Sequence, residues 1–176
     1  AFEDKFQLIY LNRRPIDILH EWHVKDFGER IGNDPTETDY LISVNNQSIP
    51  EYAHEWPDEY LKISPLERIV RIIHTCFERN YKGLEERQYD DRVKIVEFEN
   101  LVTSPNDVID DISEYLNLNI LTHMDKILET NNCPRSLSKD EYSNREKNIK
   151  QNISSKYLKL VDEMNEIHQA ISNLDK

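Results

Sequence analysis

The stretch Gln7-Leu8-Ile9-Tyr10-Leu11-Asn12-Arg13-Arg14-Pro15-Ile16-Asp17 decides how this sequence folds. Its first half is apolar and β-prone, a pattern typical of a buried parallel strand. The run ends at two arginines and a proline, and proline is favoured at the first position of a helix. The sequence therefore predicts a strand, a tight turn and a helix, with Arg13 and Arg14 at the carboxyl end of the strand.

Two cations at such a turn suggest an anion site. In open α/β sheets, ligands bind beyond the carboxyl ends of the strands, and helix N-termini favour negative charge. The alternative is that Arg13 and Arg14 are solvated or paired with nearby acids, because polar loops of α/β proteins carry arginines routinely. Composition alone favours this alternative, since the sequence contains 34 acidic residues and only 22 lysines and arginines.

The bulk composition limits the class of protein. With 176 residues, 38% of them hydrophobic, residues 1–176 are expected to form a single domain. The net charge of −12 marks an acidic protein and argues against a nucleic-acid partner. No apolar run approaches the ~20 residues of a membrane span. Cys76 and Cys133 form neither a disulfide framework nor a CxxC pair, so we expect a reducing, cytoplasmic compartment.

The hydrophobic pattern predicts an α/β chain that is mostly helical by residue count. Both Ser64 and Ser104 precede a proline and an acid at the third helical position, so both are expected to cap a helix. We expect a second strand over 93–98, and helices over 15–31, from 65 to near 83, from 105 to near 117, over 121–129 and over 155–173.

Two segments lack a clear period. Prolines punctuate residues 33–57, which we expect to be an irregular excursion with a short helical piece around Glu51 to His54. Residues 138–176 should form a helical tail. Its part at 140–153 is strongly charged, so we expect that part to be exposed or loosely packed.

Several kinds of site are absent from the sequence. The three glycines form neither GxxxxGK nor GxGxxG, which excludes a glycine-rich phosphate loop. Asp17, His20, Glu21 and His23 share a helix but lack the HExxH spacing, so no metal site is predicted. No serine or cysteine has the glycine-flanked setting of a nucleophile elbow.

Two separated blocks carry a family pattern. The first is Arg13-Arg14-Pro15-Ile16-Asp17 after a strand, and the second is Phe98-Glu99-Asn100-Leu101 after the later strand, followed by Ser104-Pro105 and a helix ending in Tyr115-Leu116-Asn117-Leu118. These resemble the Arg-x-Pro-x-Asp and Tyr-Glu-Asp-Leu blocks of the PAPS-dependent sulfotransferase family, where PAPS is 3′-phosphoadenosine 5′-phosphosulfate. Their order and rough separation match the family over about the first two-thirds of the chain.

The resemblance implies a P-loop sulfotransferase-like three-layer fold with a small parallel sheet. It implies sulfuryl transfer from PAPS to a hydroxyl or amine acceptor, which would be a small molecule, a glycan or a protein. Arg13 would bind the 3′-phosphate and Arg14 would add nearby charge. Arg135 and Ser136 would lie near the nucleotide, and the Glu99 block would tie a strand end to a helix start.

Three departures qualify this expectation. The serine that the family places eight residues after the arginine is Glu21 here, and a carboxylate repels a phosphate. The family's N-terminal strand with its phosphosulfate loop is missing, and so is the general base beyond it, so no catalytic residue is assigned. We therefore expect the C-terminal portion of a sulfotransferase-like domain. The alternatives are a non-catalytic module of this kind that binds a protein or glycan, and a helical interaction domain.

Overall fold

The structure is a computed structural model that describes residues 6–30, 40–86 and 91–174. Within these ranges it confirms a mostly helical α/β chain with a small parallel sheet. The strands are β1 (Leu8–Asn12), β2 (Leu41–Val44), β3 (Gln47–Pro50) and β4 (Val93–Glu97). The helices are α1 (Pro15–Val24), α2 (Phe27–Arg30), α3 (Pro57–Tyr60), α4 (Pro65–Glu85), α5 (Phe98–Thr103), α6 (Pro105–Leu116), α7 (Met124–Thr130), α8 (Lys139–Gln151) and α9 (Ser155–Ser172), with a short 3₁₀ turn at Glu51–Ala53.

The parallel sheet consists of β1 and β4. Leu8 lies opposite Val93, and Asn12 lies opposite Glu97, so the carboxyl ends of the two strands coincide. The expectation that β1 is buried is wrong, since Leu11 is 46% exposed. The reason is that, among the described residues, β4 is the only strand that pairs with β1. Both strands lead directly into helices, which places two helix starts at one edge of the sheet.

The main core lies between the helices and not on the sheet. The apolar stripe predicted for α4 packs against α9, and α1 and α8 close the cluster. Its buried members are Ile16, Leu19, Leu66, Ile69, Val70, Ile73, Phe77, Ile149, Tyr157, Val161 and Met164. Each fully buried aliphatic side chain contributes about 1.5–3 kcal/mol, so this cluster stabilises the fold that carries the sheet edge. Among the described residues, no helix combines the length and apolar composition that a membrane crossing requires.

The two serine-proline helix starts behave differently. Ser64 forms the predicted capping box, because its Oγ accepts from the Glu67 amide at 3.3 Å and its own amide donates to the Glu67 carboxylate at 3.2 Å. The other Glu67 oxygen accepts from the Ser154 amide at 3.1 Å, which joins the start of α4 to that of α9. At Ser104 the predicted helix start is confirmed, but the prediction of a side-chain cap is wrong. There α5 runs almost directly into α6, so Ser104 has φ −134° and ψ 59° and makes no cap bond.

The expectation of an irregular segment over 33–57 is wrong for residues 41–50, which form a β-hairpin. Asn45 and Asn46 make its two-residue turn with φ of 51° and 63°. Asparagine is one of the few residues other than glycine that tolerate this conformation, and two positive φ values suit a hairpin turn. The short helical piece is confirmed as the turn Glu51–Ala53. Residues 33–39 of this prediction lie outside the described residues.

The helix predicted over 15–31 is interrupted after Val24. Asp26 has φ 55°, which ends α1 and turns the chain into α2. The second glycine of this region, Gly32, lies outside the described residues, but Gly28 has a clear packing role. A Cβ at Gly28 would lie 2.1 Å from the Pro65 carbonyl oxygen, so only glycine allows α2 to approach the start of α4 this closely.

The expectation for residues 140–153 is right for exposure, since eight of these fourteen residues are exposed, but it is wrong for packing. They form most of α8, which packs on α1 and buries Ile149 completely. Low hydrophobicity was misleading because polar side chains make the contact: Arg145 pairs with Asp17, and the Tyr142 ring lies against Arg14. The predicted stop of α6 at residue 117 is confirmed, and the helix predicted over 121–129 begins later, at 124.

The two serine starts provide a matched test of the capping geometry. Ser64→Ala should lower the free energy of unfolding by about 1 kcal/mol, because it removes a formed cap. Ser104→Ala should change it by less than about 0.5 kcal/mol, because no cap bond is lost. Urea denaturation of both variants measures the difference. Equal losses would contradict the described cap geometry.

Candidate functional site

The candidate site lies where β1 and β4 end together. Asn12, the last residue of β1, is only 1% exposed. Its Nδ2 lies 3.0 Å from Glu97 Oε1, 3.2 Å from the His168 carbonyl oxygen and 3.0 Å from Ser172 Oγ. An amide group has two protons, so these acceptors share them. Asn12 thereby holds the end of β1 against both β4 and α9, while its Oδ1 is buried without a hydrogen-bond partner.

Arg13 pairs with Glu21, the residue that replaces the expected serine. Its Nη1 donates to Glu21 Oε2 at 2.7 Å, and its guanidinium carbon lies 4.5 Å from the centre of the Phe98 ring. Lys25 binds the other Glu21 oxygen at 2.6 Å. The hydrogen bonds from Lys25 and then Arg13 lower the pKa of Glu21. Glu21 thus remains a carboxylate, and it neutralises Arg13 directly.

Arg14 has a different environment from Arg13. Its Nη2 lies 2.6 Å from Asp17 Oδ2, its Nε lies 3.3 Å from Glu99 Oε1, and its guanidinium stacks on Tyr142 at 4.4 Å. Asp17 is only 5% exposed, and its second oxygen accepts from Arg145 at 2.7 Å. The backbone amide of Arg14 also donates to Glu99 at 3.2 Å. Arg14 therefore joins the end of β1 to α1, α5 and α8.

Arg135 and Ser136 are exposed residues between α7 and α8. The Arg135 amide donates to the Val102 carbonyl oxygen at 2.7 Å, which holds this segment against α5. Among the described residues, the structure gives neither Arg135 nor Ser136 a side-chain contact with Arg13 or Arg14. The role of Arg135 and Ser136 near the nucleotide therefore stays a prediction.

A groove runs beside this segment, between α5, α6 and α7. It has a volume of about 440 Å³, and its lining includes Cys133 and Pro134. Three carboxylates, from Asp107, Asp125 and Glu129, also line it. Like charges repel, so this groove is unsuited to a phosphate.

The fold assembles a cluster that sequence reasoning missed. Glu97, Glu99 and His168 place their ligand atoms within 4.8 Å of one another. Among the described residues, Asp17, His20, Glu21 and His23 do not converge in this way. The only sequence signal was the position of His168 on the apolar face of the last helix. Burial lowers the pKa of His168 despite the nearby Glu97 and Glu99, so its ring is neutral near pH 7.

Known proteins provide no family for this chain. No protein-family model, no curated protein and no solved structure matches it. Because one fold can serve many functions, the residues at the sheet edge, and not the fold, indicate the function.

Two acids in this site provide a matched pair for mutation. Asp17→Asn should lower the free energy of unfolding by about 3 kcal/mol, because Arg14 and Arg145 would lose their shared buried carboxylate. Glu21→Gln should cost less than about 1 kcal/mol, since this carboxylate is 37% exposed. Urea denaturation measures both. A loss as large for Glu21→Gln as for Asp17→Asn would contradict the distinction.

Proposed function

We propose that this chain is the part of a sulfotransferase-like domain that binds the 3′-phosphate of PAPS. The parallel pairing of β1 with β4 carries the proposal. Asn12 and Glu97 lie opposite each other. The two blocks that resemble the family therefore begin side by side, the first at Arg13 and the second at Phe98. Ligands of α/β sheets bind at this edge, and helix N-termini there favour anions.

Arg13 is the better phosphate ligand of the two arginines. Among the described residues, Glu21 is its only ion-pair partner. Arg14 pairs with Asp17 and Glu99 and is needed to hold the fold. A guanidinium can bind two phosphate oxygens at once, so the phosphate would take the place that Glu21 holds.

Glu21 weakens this site without blocking it. The Arg13 and Glu21 side chains are 28% and 37% exposed, and ion pairs of this kind contribute only about 0–1 kcal/mol. Lys25 already holds the other oxygen of Glu21 and can retain the carboxylate when Arg13 turns to a phosphate. A phosphate that carries more negative charge than Glu21 would therefore compete with it for Arg13.

The proposed division of roles gives this chain nucleotide binding and leaves the transfer step to other residues. Sulfuryl transfer depends on donors that stabilise charge on the transferring group, and on a base for the hydroxyl or amine acceptor. We assign neither to the described residues. The acceptor would be a small molecule, a glycan or a protein.

The alternative is a non-catalytic sulfotransferase-like module that binds a protein or glycan. One observation favours it. Leu118, Ile120 and Leu121 are exposed by 63%, 40% and 56% on the segment between α6 and α7. Adjacent exposed apolar side chains are typical of surfaces that contact another macromolecule.

Calorimetry with adenosine 3′,5′-bisphosphate tests the proposal. Arg13→Ala should weaken binding by about tenfold or more, because it removes a charge-assisted contact to the 3′-phosphate. Glu21→Ser should strengthen binding, because the competing carboxylate is gone. Lys159→Ala, which removes an exposed cation on α9, should have little effect.

Adenosine 5′-monophosphate provides the ligand control, since it lacks the 3′-phosphate. Arg13→Ala should leave its binding unchanged. If the unaltered protein fails to bind the bisphosphate, or if Arg13→Ala binds both nucleotides as the unaltered protein does, the proposed 3′-phosphate site is wrong.

A further inference from the structure

A second cluster lies at the same sheet edge, on the side that faces α9. Glu97 ends β4, Glu99 lies in the first turn of α5, and His168 comes from the buried face of α9. Their ligand atoms lie within 4.8 Å of one another, and His168 Nε2 is 3.7 Å from Glu97 Oε2. The cluster combines one imidazole with two carboxylates.

His168 is the unsatisfied member of this cluster. The residue is 8% exposed, and its buried Nε2 makes no hydrogen bond. Buried polar atoms nearly always have a hydrogen-bond partner, so an unpartnered nitrogen here indicates a position at which a ligand can bind. Its other ring nitrogen, Nδ1, lies 3.5 Å from the Gln169 side-chain amide. The structure turns the Gln169 Nε2 toward Nδ1. A flip of this amide presents its oxygen instead, so that Nδ1–H donates to it and Nε2 carries the lone pair that a metal ligand requires.

The charge of Glu97 gives an independent indication. Its side chain is 27% exposed, yet among the described residues no lysine or arginine pairs with it. Its polar contacts are the Asn12 amide at 3.0 Å and the His168 ring. The Asn12 amide fixes the direction of the carboxylate, as second-shell groups do around metal ligands. A cation between Glu97 and His168 would balance the charge and satisfy the histidine nitrogen.

Arg14 compensates only part of the charge on Glu99. Its guanidinium is shared between Glu99 at 3.3 Å and Asp17 at 2.6 Å. The Arg14 amide donates to the same Glu99 oxygen, Oε1, at 3.2 Å. This arrangement leaves Oε2 of Glu99 to a cation, while Oε1 stays bound to the end of β1.

We propose that Glu97, Glu99 and His168 form a three-ligand site for a divalent cation of the Zn²⁺ class. Zn²⁺ binds nitrogen and oxygen ligands at about 2.0–2.2 Å, which separates neighbouring ligands by about 3–4 Å. The His168–Glu97 distance of 3.7 Å lies in this range. One imidazole with two carboxylates suits Zn²⁺ better than Mg²⁺ or Ca²⁺, which prefer oxygen ligands alone. A water or an external ligand completes the coordination.

This proposal goes beyond the proposed nucleotide site and is tested without nucleotide. Calorimetry of metal-free protein with Zn²⁺ should show one site per chain. Glu97→Gln and Glu99→Gln should each weaken binding by about 100-fold or more, because loss of second-shell groups alone costs about 10–100-fold. The matched controls are Glu114→Gln and His123→Asn, which change exposed residues elsewhere. Both controls should bind Zn²⁺ like the unaltered protein.

His168→Asn supplies the third arm, with folding checked by circular dichroism because the residue is buried. Co²⁺ provides a spectroscopic readout, since the loss of the imidazole should change its visible absorption. Mg²⁺ at the same concentration should not bind measurably. If Zn²⁺ binds the two glutamine variants as tightly as the unaltered protein, or fails to bind the unaltered protein, the site is wrong.

Discussion

The buried carboxylate of Asp17 is the constraint on which the site depends. An ionised carboxylate is costly to bury unless cations pair with it, and Asp17 accepts from Arg14 and Arg145 at 2.8 Å and 2.7 Å. Arg14 continues the chain of ion pairs to Glu99 at the start of α5. One charge thereby joins α8 and α5 to the turn between β1 and α1. Because Arg14 is held in this way, our proposal assigns the exchange of an acidic partner for a ligand to Arg13.

The structure pairs both arginines of the turn with acids, as the ordinary interpretation expects, and our proposal assigns an anion to Arg13 alone. Arg14 follows the ordinary one, since it is paired with acids and stacked on Tyr142. Arg13 also pairs with an acid, Glu21. The Glu21 side chain is 37% exposed, so in our proposal a ligand can replace it. The resemblance to sulfotransferases implies a 3′-phosphate on Arg13. In the structure, the Glu21 carboxylate pairs with Arg13 instead. In our proposal, the carboxylate therefore acts as an internal competitor of the phosphate.

Sequence patterns could predict the elements that depend on local periodicity, such as the stripe of α4 and the paired face of α9. They missed the hairpin because the prolines nearby outweighed the turn propensity of Asn45 and Asn46. They missed the packing of α8 because Arg145 makes its contact through charge and not through apolar area. The meeting of Glu97 with His168 depends on strand register and helix packing, which no local pattern encodes.

The most direct test of the central claim is a nuclear magnetic resonance titration that follows the arginine Nε–H groups as adenosine 3′,5′-bisphosphate is added. We predict that the Arg13 signal shifts most, because Glu21 is replaced by a phosphate at that guanidinium. The Arg14 signal should move little, because Asp17 and Glu99 retain it. An unchanged Arg13 signal at saturating nucleotide, or a largest shift at a distant arginine such as Arg68, would contradict the account.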